Sequence, residues 1–206
     1  PGAGQMMIRS SQLKLIIDTV SNCARSCDQA RRMCAMASGA YLEEAQALLA
    51  QLESGAELAT LAIEHSGKPQ VIVSGTDRLR SYDLATGKVI WECGGLSNNV
   101  VASPVAADGF LYAASSYEFQ AMFAIRLEGA SGDLTGTDAV AWKIDRHTPY
   151  VPSPLLYQGK LFFIRHLQAF LSCMDAKTGK PIFGPRRLPG FQMIYSSPVG
   201  AGGKVY

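Results

Sequence analysis

The chain has 206 residues, 48% of them apolar and 17% charged, a balance that can bury a core and is not that of a disordered chain. Lys and Arg exceed Asp and Glu by only two, 19 against 17, and the pairs Arg31-Arg32 and Arg186-Arg187 read as solvated faces, so no nucleic-acid partner is expected. No apolar run approaches the roughly 18 residues that span a bilayer, so no transmembrane segment is expected, and no signal-peptide pattern follows Pro1.

Residues 11–54 read as helix: they hold no Pro and many Ala, Leu, Gln, Glu and Arg. Leu13, Ile16, Val20, Cys23, Cys27, Ala30 and Cys34 recur in alternating steps of three and four, a heptad seam. Ser38-Gly39 breaks the pattern, and Leu42, Ala45, Leu49 and Leu52 start a second one. Residues 1–57 are therefore expected to form a helical hairpin. At its end, Gly55 either stops the second helix or sits inside a Ser54–Glu57 capping box for a short third one. At about 100° per residue, Cys27 and Cys34 fall within about 40° and 20° of Cys23 on one helix face. Such thiolates suit a soft metal such as Cu(I). As small residues on a packed seam they need no metal at all.

Beyond residue 58 the texture changes to short β-rich runs between Gly-containing turns: Gln70–Ser74, Lys88–Glu92, Phe110–Ala113, Phe119–Leu127 and Lys160–Arg165. Two motifs repeat through it. Ser103-Pro104-Val105, Ser153-Pro154-Leu155 and Ser197-Pro198-Val199 each precede a turn and an aromatic strand, with the serines 50 and 44 residues apart. Asp83-Leu84-Ala85-Thr86-Gly87-Lys88 leads into Val89-Ile90-Trp91. Asp175-Ala176-Lys177-Thr178-Gly179-Lys180 leads into Pro181-Ile182-Phe183 two periods later. The middle copy carries an insertion rich in Gly, Asp and Thr between Arg126 and Ala139. Asp and Thr side chains hydrogen-bond a tight turn while Gly takes positive φ, and Trp91 offers a large apolar face to a neighbouring sheet.

A 44–50 residue period carrying four strands, a WD40-like unit, is propeller-like. The fold class is therefore mainly β. It is a partial β-propeller of about three four-stranded antiparallel blades over 58–206, at about 58–93, 100–145 and 151–185, with a fourth beginning at 194–206. The Tyr82–Trp91 segment resembles the tryptophan-docking motif of quinoprotein-like propellers, the PQQ-like repeat family. That family includes the pyrroloquinoline-quinone dehydrogenases and an outer-membrane assembly lipoprotein. The Ser-Pro copies are similar to the inner strands of those blades. Phe183, in place of the docking Trp, and the insertion depart from the pattern. The resemblance implies a periplasmic or extracytoplasmic setting. It also implies that a closed ring of about seven or eight blades would need a longer chain than this one.

The family's quinone site would need a vicinal Cys pair, a Trp platform and Glu, Asn and Asp ligands for Ca²⁺. Here Cys93 and Cys173 stand apart, Trp91 and Trp142 fall on fourth-strand positions, and nothing marks Asn98, Asn99 or Glu118 as ligands, so no cofactor is expected. His65, His147 and His166 show no metal or triad spacing. The polar loop Asp145–Tyr150, with Arg146, His147 and Tyr150, is the expected interaction segment. The reading is a non-catalytic scaffold for a protein partner rather than an enzyme. The alternatives are a section of a quinone-dependent oxidoreductase and a Cu(I)-binding helical segment.

Overall fold

The computed structural model describes residues 59–206. The helical hairpin expected over 1–57, with Cys23, Cys27 and Cys34, lies outside the described residues. What is described is mainly β, built from several antiparallel sheets. Among the described residues no helix is long and apolar enough to cross a membrane.

In chain order the strands are β1 Ala59–His65, β2 Lys68–Ser74, β3 Arg78–Asp83, β4 Val89–Gly94, β5 Val105–Ala107, β6 Phe110–Ser115, β7 Ala121–Arg126, β8 Gly132–Asp133 and β9 Val140–Ile144. There follow β10 Leu155–Tyr157, β11 Lys160–Arg165, a 3-10 turn His166–Gln168, β12 Phe170–Asp175, β13 Pro181–Arg187, β14 Gly200–Ala201 and β15 Lys204–Val205. Three meanders result, in the orders β1-β2-β3-β4, β5-β6-β7-β9 and β10-β11-β12-β13, and β14-β15 starts the same pattern again.

The repeat is visible in one recurring turn. Each meander opens with a two-residue hairpin loop, and in three of them both loop residues have left-handed φ: 52° and 72° at Ser66-Gly67, 53° and 77° at Asp108-Gly109, 51° and 71° at Gln158-Gly159. Gly202-Gly203 repeats it at 57° and 76° between β14 and β15. Two successive positive φ angles match the turn to the right-handed twist of the flanking strands. Gly at the second position makes the turn tolerable.

The meanders stack through apolar faces. In β6 and β7, Leu111, Ala113, Phe123 and Ile125 point one way, into a cluster with Ile72, Leu79, Trp91 and Cys93 of the first meander and Leu96 and Val100 of the link after it. Tyr112, Ala114, Met122 and Ala124 point the other way, onto Leu161, Phe163, Met174 and Ala176 of the third. The second meander is thus covered on both faces, which is why its two central strands are near-continuous apolar runs instead of alternating ones. One polar pair lies on the first buried face: Ser81 Oγ donates to Gln70 Oε1 at 2.7 Å.

The insertion after Arg126 does more than lengthen a turn. It returns to the first meander and adds β8 as a fifth strand, parallel to β4, with Trp91 opposite Gly132 and Glu92 opposite Asp133. Leu134 N donates to Glu92 O at 2.8 Å and Gly94 N to Thr135 Oγ1 at 2.8 Å. Leu134 seals the Trp91 cluster. Glu92 accepts from Arg78 at 2.8 Å and from Arg80 at 3.0 Å, with Asp133 also 3.4 Å from Arg78.

Candidate interaction face

Antiparallel meanders sort their connections by end. The two-residue hairpins and the Asp-Thr-Gly turns lie at one end, and the links 75–77, 95–104, 116–120, 145–154, 166–169 and 188–199 lie at the other.

The turn end is structural. Asp83 Oδ1 accepts from Ala85 N at 2.9 Å, Thr86 N at 2.7 Å and Thr86 Oγ1 at 2.9 Å. Asp175 Oδ1 accepts from Thr178 N at 2.8 Å and Thr178 Oγ1 at 2.7 Å. These bonds hold the Asp175 carboxyl below its usual range, the Thr178 hydroxyl contributing most. The docking tryptophan of this turn comes from the preceding repeat. Trp142 Nε1 donates to Ala176 O at 2.8 Å, and its ring lies so close over Gly179 that a Cβ there would meet it at 2.8 Å. Trp91, 1% exposed, points in the same sense toward the second meander, where the insertion stands in place of the turn. Phe183, where the sequence departs from Trp, is 40% exposed and tilts against Phe162 at 6.3 Å.

The Ser-Pro serines link neighbouring meanders. Ser103 N donates to Ser153 Oγ and Ser153 N to Ser197 Oγ, each at 2.9 Å. Each Pro stands immediately before its short first strand or the link to it, outside the ladder it would interrupt. Pro104 and Pro154 are buried with these links.

The loop end is tied around Ser115. Its Oγ accepts from Ser97 N at 2.8 Å and its carbonyl from Thr148 Oγ1 at 2.9 Å. Asn98 N donates to Glu118 Oε2 and Asn99 Nδ2 to Tyr150 Oη, each at 2.9 Å. Tyr150 stacks on Tyr117 at 5.6 Å, and His147 meets Phe170 edge-on at 6.3 Å. Of the expected interaction residues, Tyr150 and His147 are half-buried in these contacts. Arg146 is exposed, 3.9 Å from Asp145. The large apolar groups on this end were not singled out from the sequence: Tyr117 is 60%, Phe119 48% and Leu167 59% exposed. The signal was the aromatic pair Tyr117 and Phe119 in the link between β6 and β7, of which a strand reading of 119–127 absorbed Phe119. Buried polar atoms without hydrogen-bond partners also gather here: Asn99 Oδ1, Gln120 Oε1 and His147 Nδ1.

Neither cysteine of the described residues joins this end as a reactive group. Cys93 and Cys173 are free, buried thiols in separate meanders, and burial pushes Cys93 up to about 11. Among the described residues no three His, Cys, Asp or Glu side chains group as metal ligands. Both tryptophans are taken up between meanders, and Glu118 and Asn99 are engaged within the loops.

No family model matches the chain, and no curated protein does. Among solved structures it is similar to BamB from Moraxella catarrhalis, at 13% identity and TM-score 0.48, covering 70% of this chain and 42% of that one. It is also similar to quinohemoprotein alcohol dehydrogenase from Comamonas testosteroni, at 16% identity and TM-score 0.45, covering 61% of this chain and 20% of that one. Both are PQQ-like β-propeller proteins. The chain spans less than half the length of either.

Proposed function

We propose that this chain is a section of a quinoprotein-like β-propeller that serves as a non-catalytic protein-interaction scaffold in an extracytoplasmic compartment. The stacked meanders are its blades. The observation that carries the reading is the asymmetry between the ends. The turn end spends Trp142 and the Asp-Thr-Gly turns on docking one blade to the next, although Val89, Ile182 and Phe183 after those turns are 40–49% exposed. The loop end instead exposes Tyr117, Phe119 and Leu167, and Tyr117 is stacked on Tyr150 within the hydrogen-bonded loop network. Rigid, exposed aromatic side chains on loops over a packed scaffold are what protein partners use as anchors. A catalytic reading has no comparable support, since the two tryptophans are committed to packing and the Cys93 thiol is held protonated.

Photocrosslinking tests this. A benzoyl-phenylalanine at Tyr117, in the full-length protein in its own cells, is expected to give a discrete adduct with a second protein. The same group at Lys177, on the turn end, is expected to give none. Equal labelling from both positions overturns the scaffold reading. Saturable binding of pyrroloquinoline quinone with Ca²⁺, accompanied by alcohol or sugar oxidation, replaces it with that of an oxidoreductase section.

A further inference from the structure

The interaction reading leaves one group of side chains at the loop end without a role. Arg165, at the end of β11, lies opposite Phe170 of β12, and Phe170 lies opposite Arg187 of β13. Side chains opposite one another across a ladder share a face. Counting back by twos, this is the face on which Leu161, Phe163 and Met174 meet the second blade. Beyond the end of that apolar contact, the face carries two arginines with an aromatic ring between them. The His147 ring from the second blade closes the row edge-on to Phe170 at 6.3 Å.

The charges in this row meet no carboxylate among the described residues. The ion pairs among the described residues involve Arg78, Arg80 and Arg146, and neither Arg165 nor Arg187 has a carboxylate or hydrogen-bond partner there. The nearest acid in sequence to His147 is Asp145, which stands beside Arg146. Arg165 is half-buried and Arg187 exposed, so each keeps an outward path for its guanidinium. Two strand spacings separate their backbones by about 10 Å, a gap that two long side chains close over the Phe170 ring around one carboxylate. His147 Nδ1, beside the Phe170 ring, is buried without a hydrogen-bond partner.

We propose that the row of Arg165, Phe170 and Arg187, with His147 against its ring, binds an acidic side chain of a protein partner. Planar guanidinium forks match carboxylate geometry and lose little hydration on binding. The occupant is a protein segment rather than a small oxyanion because apolar surface continues from the row. Leu167, in the turn directly after Arg165, is 59% exposed, and Tyr117 and Phe119 lie on the same end. An acidic residue flanked by apolar ones satisfies both features.

This rests on the scaffold reading but is tested apart from it. The full chain is titrated with a fluorescein-labelled peptide of alternating Glu and Leu, with a Lys-Leu peptide as counterpart and inorganic phosphate as competitor. The acidic peptide is expected to bind, weakening as salt rises, and the basic one not to. The Arg165→Gln/Arg187→Gln double variant is expected to lose about tenfold or more in affinity. Lys177→Gln, an exposed cation on the turn end, is expected to stay within about twofold. Unchanged urea midpoints show that the variants remain folded. Equal binding of both peptides, or full binding by the double variant, overturns the proposal. So does complete displacement by phosphate at matched charge, which would make the row a small-ion site. None of these outcomes alters the Tyr117 cross-link, so the two readings fail separately.

Discussion

Gly179 shows how a turn of the repeat depends on a single atom. Its φ is 67°, and an added Cβ would meet the Trp142 ring at 2.8 Å. Gly109 has a similar φ of 77° with nothing within 4 Å of the Cβ position. Gly109→Ala therefore carries only the left-handed backbone cost of about 1–2 kcal/mol. Gly179→Ala adds the displacement of Trp142 and is expected to cost about 1–3 kcal/mol more by urea unfolding. Equal losses would show that the Trp142 contact contributes nothing. Asp175 adds a pH signature. Its carboxyl is depressed in the folded chain by the Thr178 hydroxyl and N–H, so its contribution is present above the unfolded pKa and lost as pH falls through the folded one. Asp175→Asn keeps one acceptor oxygen but removes the titration. The stability difference between wild type and variant is expected to shrink steadily as pH drops below the ordinary carboxylate value. A pH-independent difference would contradict this.

At the scale of elements, the insertion 127–139 replaces a tight turn with a strap. β8 extends the first sheet at its β4 edge, and Leu134 caps the cluster around Trp91. An exposed strand edge invites unwanted pairing, and β8 covers part of this one. Leu134→Ala is expected to cost about 2–5 kcal/mol, as a buried Leu truncation does, and to red-shift Trp91 emission by admitting water. The comparison is run in a Trp142→Phe background, so that one indole reports. An unshifted spectrum would show that the strap is not what shields Trp91. The turn residues were legible here, since Asp, Thr and Gly act on their own backbone within a few residues. The destination of the insertion was not legible, because a two-residue strand pairing across a gap of about 40 positions leaves no local pattern.

For the whole molecule, the serines mark how one blade is set against the next. Ser153 Oγ accepts the Ser103 N–H while Ser153 N–H donates to Ser197 Oγ. Ser153→Ala orphans the Ser103 N–H and is expected to cost about 1 kcal/mol. Because the two bonds run in series between blades, Ser153→Ala and Ser197→Ala are expected to show coupling in a double-mutant cycle. Strict additivity would mean that each junction is set independently. The apolar junctions follow the same logic at larger scale, since the second blade contributes alternate residues of β6 and β7 to two separate clusters.

By itself the sequence determined the repeat, its period, the positions of its turns and the mainly β character of 59–206. These depend on neighbours in the chain, on Gly where φ is positive and on apolar runs where strands are covered twice. The tertiary structure decided which repeat each side chain serves. Asp83 and Trp91 read as one motif, yet Trp142 is the tryptophan of the Asp175 turn, because a fourth strand packs against the following blade and not its own. It likewise decided the loop face. Arg186-Arg187 reads as a solvated pair and both residues are exposed, while strand register sends the two side chains to opposite faces and sets Arg187 opposite Phe170. Periodicity identifies an element, but register and stacking between elements place its side chains in space.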